Sequence, residues 1–371
     1  AMSFLQVPLE ECCTFEEIAG RIKNFREMNH KKPGEWIVAK GYDHNALKEK
    51  RHPDLAFLDQ AAPENPLVLQ HASGHVGVLN SAALKALGIT ESTPSPAGGR
   101  IGLANGKLTG YLEENAFIST MKKLPMNSME DMMLAYRRAQ ESYAAHGITT
   151  VQEGMTVRQM LPLYQYLTAQ RLLQLDVCAY LMPEDAEGFL RTYPDSVGAY
   201  HEHFRIGGYK IVLDGSPQGR TAWMETPYRN QEPPYYGYGT MPDEAVQAAV
   251  RLAAEQKMQI LAHCNGDAAA EQFIRAVEAV SRELPVKEIR PVMIHAQLLR
   301  PDQLERAAGL GIIPSFFVAH IYHWGDIHIR NFGKKRASLI SPAGSALKQG
   351  MCFTFHQDTP VIEPNMPETV W

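Results

Sequence analysis

The stretch "PDEAVQAAVRLAAEQKMQILAHCNGD", residues 242 to 267, carries the pattern that decides the fold. Its first part sets Val246, Ala249, Val250 and Ala253 on one helical stripe, with Pro242 and the acidic Asp243 and Glu244 suited to a first turn. "QILAH" follows, an apolar run too short for a helix that ends in His263. Such a run is either a barrel strand ending in a metal ligand or a core strand capped by a polar residue. The choice depends on whether other strands end the same way.

From Ile148 onward the helix-strand alternation repeats. "ITTVQEG" (148–154), "LDVCAYLM" (175–182), "IGGYKIVLDG" (206–215), "QILAH", "PVMIHAQ" (291–297), "IIPSFF" (312–317) and "MCFTFHQD" (351–358) read as strands. Helical patterns lie between several of them: Val157–Leu173, Pro242–Lys257, a segment burying Phe273, Val277 and Val280, and "PDQLERAAGL". This predicts a parallel sheet covered by helices. A closed (β/α)8 barrel needs one strand more than these; an open doubly wound sheet does not.

Before Ile148 the rhythm differs. "PLVLQH" (66–71) is strand-like, "NSAALKAL" (80–87) helical, and residues 98–112 read as a hairpin around Asn105-Gly106. Ser128 caps a marked helix that runs to Gly147. The expected organisation is a lead-in helix region (1–29), an inserted or accessory segment over the barrel top (30–125), and barrel strands two to eight with their helices (126–371).

Composition excludes several classes. With 45% apolar and 21% charged residues the chain reads as soluble and globular. Its net charge of -5 offers no basic face for nucleic acid. No apolar stretch is long enough to span a bilayer, and no signal segment opens the chain. Ala1-Met2 reads as an extra residue in front of a start methionine. The cysteines at 12, 13, 178, 264 and 352 form no CxxC pair and fit reduced thiols in the cytoplasm.

Four strands carry ligand-type residues at or near their ends: Lys210, His263, His295 and Asp358. In a (β/α)8 barrel these ends form one rim, where active sites of that fold lie. Imidazole and carboxylate donors suit zinc or another first-row divalent ion. A lysine is a poor ligand unless carbamylated, when it becomes a carboxylate. A lone strand-end histidine is ordinarily a hydrogen-bonded structural residue; recurrence at several ends favours the metal reading. The pair in "HEH" (201–203) precedes its strand and reads as solvent-facing.

The blocks "GHVGVLNSAALKALGI", "GYKIVLDGSPQGRTAWMETPY", "AHCNGDAAAEQFIRAVE", "PVMIHAQLLRPDQLERAAGLGIIPSF" and "FTFHQDTPV" together resemble the amidohydrolase superfamily, in the branch of N-substituted formamide deformylase. The resemblance implies a (β/α)8 metallohydrolase that cleaves amide-type C–N bonds, N-substituted formamides or N-acyl amines, with metal-activated water. It implies one or two divalent ions, zinc foremost, held by His263, His295, Asp358 and a bridging, carbamylated Lys210. Asp358 and His295 would be catalytic, and His75, Asp214, Ser216, Arg220 and His320 would line the pocket of a small-molecule amide.

Family members open their barrel with a His-x-His strand after a small β-sandwich domain, and continue past the "DTPV" block. The chain is therefore expected to be an incomplete α/β barrel lacking that first strand, the sandwich and a C-terminal part. A rival expectation follows: a truncated, weakly active or non-catalytic barrel fragment that binds a ligand or partner subunit, a homodimer among the arrangements that would cover the exposed gap. A third reading makes the strand-end residues merely structural in an open sheet.

Overall fold

The computed structural model describes residues 2–371 apart from 73–75, 97–98 and 126–127. The chain divides into two compact units, Ala1–Ala139 and Gln140–Trp371.

The first unit is built on a six-stranded mixed sheet. Its strands are β1 (Val7–Pro8), β2 (Ile37–Tyr42), β3 (Leu67–His71), β4 (Val76–Leu79), β5 (Gly99–Ala104) and β6 (Lys107–Glu114), in the order β1-β2-β3-β4-β6-β5. β1, β2 and β3 run parallel; β4, β6 and β5 continue antiparallel. Successive side chains on a strand face opposite sides, and here each side has its own core. Leu67 and Leu69 pack with Ile37, Ala39, Val78 and the helix residues Ile18 and Ile22. Val68 and Leu79 face away, toward Leu84, Ile101, Leu112 and Phe117. Burial on both faces is why "PLVL" (66–69) is an unbroken apolar run rather than an alternating one. The tight turn between β5 and β6 falls at Asn105-Gly106, both left-handed, as the hairpin reading predicts.

The second unit holds a seven-stranded sheet, all parallel: β7 (Thr150–Thr156), β8 (Asp176–Leu181), β9 (Phe204–Val212), β10 (Gln259–Cys264), β11 (Val292–His295), β12 (Ile313–Phe316) and β13 (Thr354–Phe355), in sequential order. Each strand expected from Ile148 onward is present. The helix Asp243–Glu255 buries Val246, Ala249, Val250 and Ala253, and Asp267–Ser281 buries Phe273, Val277 and Val280. β13 is shorter than "MCFTFHQD" suggests, because only Thr354 and Phe355 find partners, Ser315 and Phe316 of β12.

The expectation of an incomplete (β/α)8 barrel missing a domain is corrected. The architecture is α/β with a parallel half-barrel sheet and a second sheet, both present. The physical reason lies in pairing: the backbone N–H and C=O groups of the early apolar runs need partners, and they find them in one another. Periodicity marks a strand but does not say which sheet it joins.

Close strand packing at β9 generates a test. Gly208 pairs with Gln259, and a Cβ there would lie 1.9 Å from the Gln259 carbonyl oxygen, an immovable backbone atom. Gly208→Ala is expected to lower unfolding free energy by about 3 kcal/mol or more, read from urea denaturation.

Candidate active site

The parallel strands β10 and β11 and the residue after β13 bring three imidazoles together. The register sets His295 beside Cys264 on one side and Phe316 on the other, and Phe316 beside Phe355. His263 Nδ1 is 3.0 Å from His295 Nε2, and His295 Nδ1 is 3.1 Å from His356 Nε2. The row is held at both ends: Ser315 Oγ lies 2.9 Å from His356 Nδ1, and the amide of Asn265 lies 3.0 Å from His263 Nε2. Phe317 packs against His295 and His356 and helps exclude water. His295, Ala296 and Asp358 all adopt left-handed backbone without being glycine. Such conformations cost on the order of 1–3 kcal/mol each and persist where surrounding structure imposes them.

Burial dominates the electrostatics. It pushes His263 down to about 4 and His356 down to about 3, with the positive charge of Lys210 adding to both. Burial also drives His295 well below its ordinary value, with His263, His356 and Lys210 contributing. All three rings are therefore neutral at pH 7, the state in which imidazole binds a metal ion. Burial lowers Lys210 to about 8, although Cys264 and Asp358 oppose the shift. Asp358 is open to solvent on one side, yet surrounding protein raises its carboxyl while Lys210 pulls it back.

The remaining expected residues have other surroundings. The buried Asp214 carboxylate accepts from three backbone N–H groups: Asn265 at 2.9 Å, Gly266 at 2.7 Å and Trp223 at 3.1 Å. Desolvation still raises it to about 7. It thereby shapes "NGD", and its Oδ1 lies 3.6 Å from His263 Nε2. Ser216 forms a turn with Thr221. Arg220 donates its Nε to Asn331 at 2.8 Å. His320 is buried against Phe317 and Trp324, its Nδ1 3.2 Å from His328 Nε2. His75 lies outside the described residues. His201 and His203 are exposed, and His203 pairs with Asp176.

Two groupings escape the sequence reading. His356 stands two residues before Asp358 and directly after β13, where the sequence offers both an imidazole and a carboxylate. In the first unit, Asp43, His44 and His71 place three ligand atoms within 4.8 Å of one another, the one such group among the described residues, and form a candidate divalent-metal site. The strand-end signal was available there too: "IVAKGYDH" and "LVLQH" end as "ILAH" does.

The chain belongs to the amidohydrolase family, whose pattern matches residues 1–367. Against the expectation that family parts are absent, the match takes in both end regions of this sequence. YtcJ of Bacillus subtilis (strain 168) is 29% identical over 342 residues, covering 90% of this chain and 62% of that protein. N-substituted formamide deformylase of Arthrobacter pascens is 25% identical over 371 residues, covering 96% and 67%. This chain thus spans about two thirds of the length of these relatives. An uncharacterized metal-dependent hydrolase from Pyrococcus furiosus has a similar fold, with a TM-score of 0.76 at 24% identity over 100% of this chain and 72% of that one. Among the described residues no helix is long and apolar enough to cross a membrane.

Two outcomes follow from the site's environment. Asp214→Asn leaves at least one buried backbone N–H unsatisfied and is expected to cost roughly 1–3 kcal/mol in denaturant unfolding. His320 is pushed down to about 3 by burial, then by His328, His356 and His323, and His328 down to about 4 by burial. Below pH 6.5 the unfolded chain takes up protons that these folded rings refuse. Stability is therefore full above pH 6.5 and lost as pH falls toward 4, by up to about 1.4 kcal/mol per histidine at pH 5.5. Urea midpoints of the metal-free chain at pH 7.5 and 5.5 should differ less when His320→Gln and His328→Gln are combined.

Proposed function

We propose that this protein is a metal-dependent hydrolase of amide-type C–N bonds, acting on N-substituted formamides or N-acyl amines at the ends of β9 to β13. The observation that carries this reading is the contact of His263, His295 and His356 beside Lys210 at one edge of a parallel sheet. Family membership and the Asp43–His44–His71 cluster support the broader class of metal-dependent hydrolase.

The residues fit a divalent cation by their chemistry. The two contacts use opposite nitrogens of the neutral His295 ring, so an ion could share His295 Nε2 with His263 Nδ1, 3.0 Å apart, or His295 Nδ1 with His356 Nε2, 3.1 Å apart, one pair per ion. His263, His295, Asp358 and a carbamylated Lys210 would hold one or two such ions, zinc foremost, with His356 as a further imidazole. When bound, the ion polarises the substrate carbonyl and lowers the pKa of a water.

The chain's own groups supply the proton transfers. Asp358 Oδ takes a proton from the attacking water and returns it to the leaving nitrogen; a carboxyl raised by burial is better matched to both steps. An imidazole N–H, on His295 or a pocket neighbour such as His320, stabilises the carbonyl oxygen as it gains charge. Buried Lys210 has an amine shifted toward its neutral form, which is the form that adds carbon dioxide. Arg220, anchored through Nε to Asn331, orients a polar substituent, with His75, Asp214 and Ser216 assigned to the same pocket.

Turnover of N-formyl and N-acyl amines by the purified chain, with metal content measured alongside, tests the proposal. Chelation should abolish turnover and zinc restore it; Asp358→Asn should lower kcat by about 100-fold or more; combined His263→Ala and His295→Ala should remove metal and activity together. Undiminished turnover after chelation would overturn the reading.

A further inference from the structure

Asp43 and His44 leave the end of β2 just where His71 ends β3, and the parallel register sets Tyr42 beside His71. The Ala72 N–H donates to the Tyr42 carbonyl at 2.9 Å, so the two strand ends are tied at one level. Above them, His44 Nδ1 is 3.1 Å from His71 Nε2, and Asp43 Oδ1 is 3.7 Å from the first and 3.6 Å from the second. Two ligands of a tetrahedral ion bound at about 2.0–2.1 Å are separated by roughly 3.4 Å, and all three distances scatter around that value. An imidazole pair sharing a proton requires only the first contact. The other two put a carboxylate oxygen at the third corner.

The corners are supported from behind. Asp43 Oδ1 accepts from the Asn45 backbone N–H at 2.8 Å and from its amide at 3.1 Å, which aims the carboxylate and, with burial opposing, lowers its pKa. The His44 ring stacks on His52 with centroids 4.1 Å apart, and His52 Nδ1 is 3.0 Å from the Tyr42 hydroxyl. Supports of this kind tune metal sites and orient their ligands. The Asp43 side chain is 45% exposed and that of His44 31%, so an ion can enter from solvent.

We propose that residues 1–139 hold a divalent first-row transition ion of their own at Asp43, His44 and His71, with a coordination position left open to water or an anionic ligand group. Two nitrogens and one carboxylate oxygen suit zinc or cobalt and disfavour magnesium and calcium, which take oxygen shells. The inference does not rest on the hydrolase reading, whose ligands all belong to the second unit.

Cobalt(II) is the probe, titrated into the chelator-stripped full chain, with visible absorption and bound ion per chain as readouts. Combined His44→Ala and His71→Ala should lose one cobalt per chain and its absorption band, at unchanged circular dichroism. Combined His263→Ala and His295→Ala should keep that ion and band, and excess magnesium should not displace it. Asp43→Asn, a substitution at a half-exposed side chain, should weaken binding by about tenfold or more and serves if the double variant fails to fold. Unchanged cobalt binding in either Asp43→Asn or the folded His44/His71 variant would overturn the proposal, as would loss of the same band with the His263/His295 pair. Failure of the hydrolase reading would be seen separately, in turnover.

Discussion

His263, His295 and His356 touch because the strands of one sheet run in one direction and end at one level, with β12 between the strands that carry His295 and precede His356. Parallel pairing from β9 to β13 is the constraint from which the site follows, since it aligns the C-terminal ends of segments far apart in the chain, from Val212 to Phe355. Antiparallel neighbours would have sent alternate ends to opposite edges. The close approach of β9 to β10 at Gly208 is part of the same constraint, for the register there fixes where Lys210 and His263 stand.

Beyond the strand ends, the backbone is held by a buried carboxylate. Asp214 gathers the N–H groups of Asn265, Gly266 and Trp223, so the loop after β9 and the loop after β10 close around one side chain. Its burial opposes ionisation while its three donors favour it. Its Oδ1 also lies 3.6 Å from His263 Nε2, so the same carboxylate stands beside the ring. The first unit uses the same geometry on a smaller scale: the ends of β2 and β3 bring a carboxylate and two imidazoles to one point.

Much of the second unit was legible from residues alone. The stripe Val246, Ala249, Val250 and Ala253 is buried as its spacing requires, and the strands after Ile148 fall where short apolar runs lie between helices. His263 and His295 were visible because each ends such a run. His356 was not, since two chemically capable residues lie at the last strand end and only pairing with β12 determines which imidazole meets His295. In the first unit "PLVLQH" was recognisable as a strand, but a run buried on both faces has no alternation to reveal its partners. The same gap hid Asp43 and His44.

Sequence by itself determined the local structure: which segments are strands and helices, where turns such as Asn105-Gly106 fall, and which strands end in groups able to bind metal. Those properties depend on side-chain spacing along a few residues. Tertiary structure alone decided that the early strands form their own sheet, that His356 completes the imidazole row, and that Asp43, His44 and His71 meet. Each of these is a contact between distant segments, set by backbone pairing and register, and no local pattern encodes which partner a strand will take.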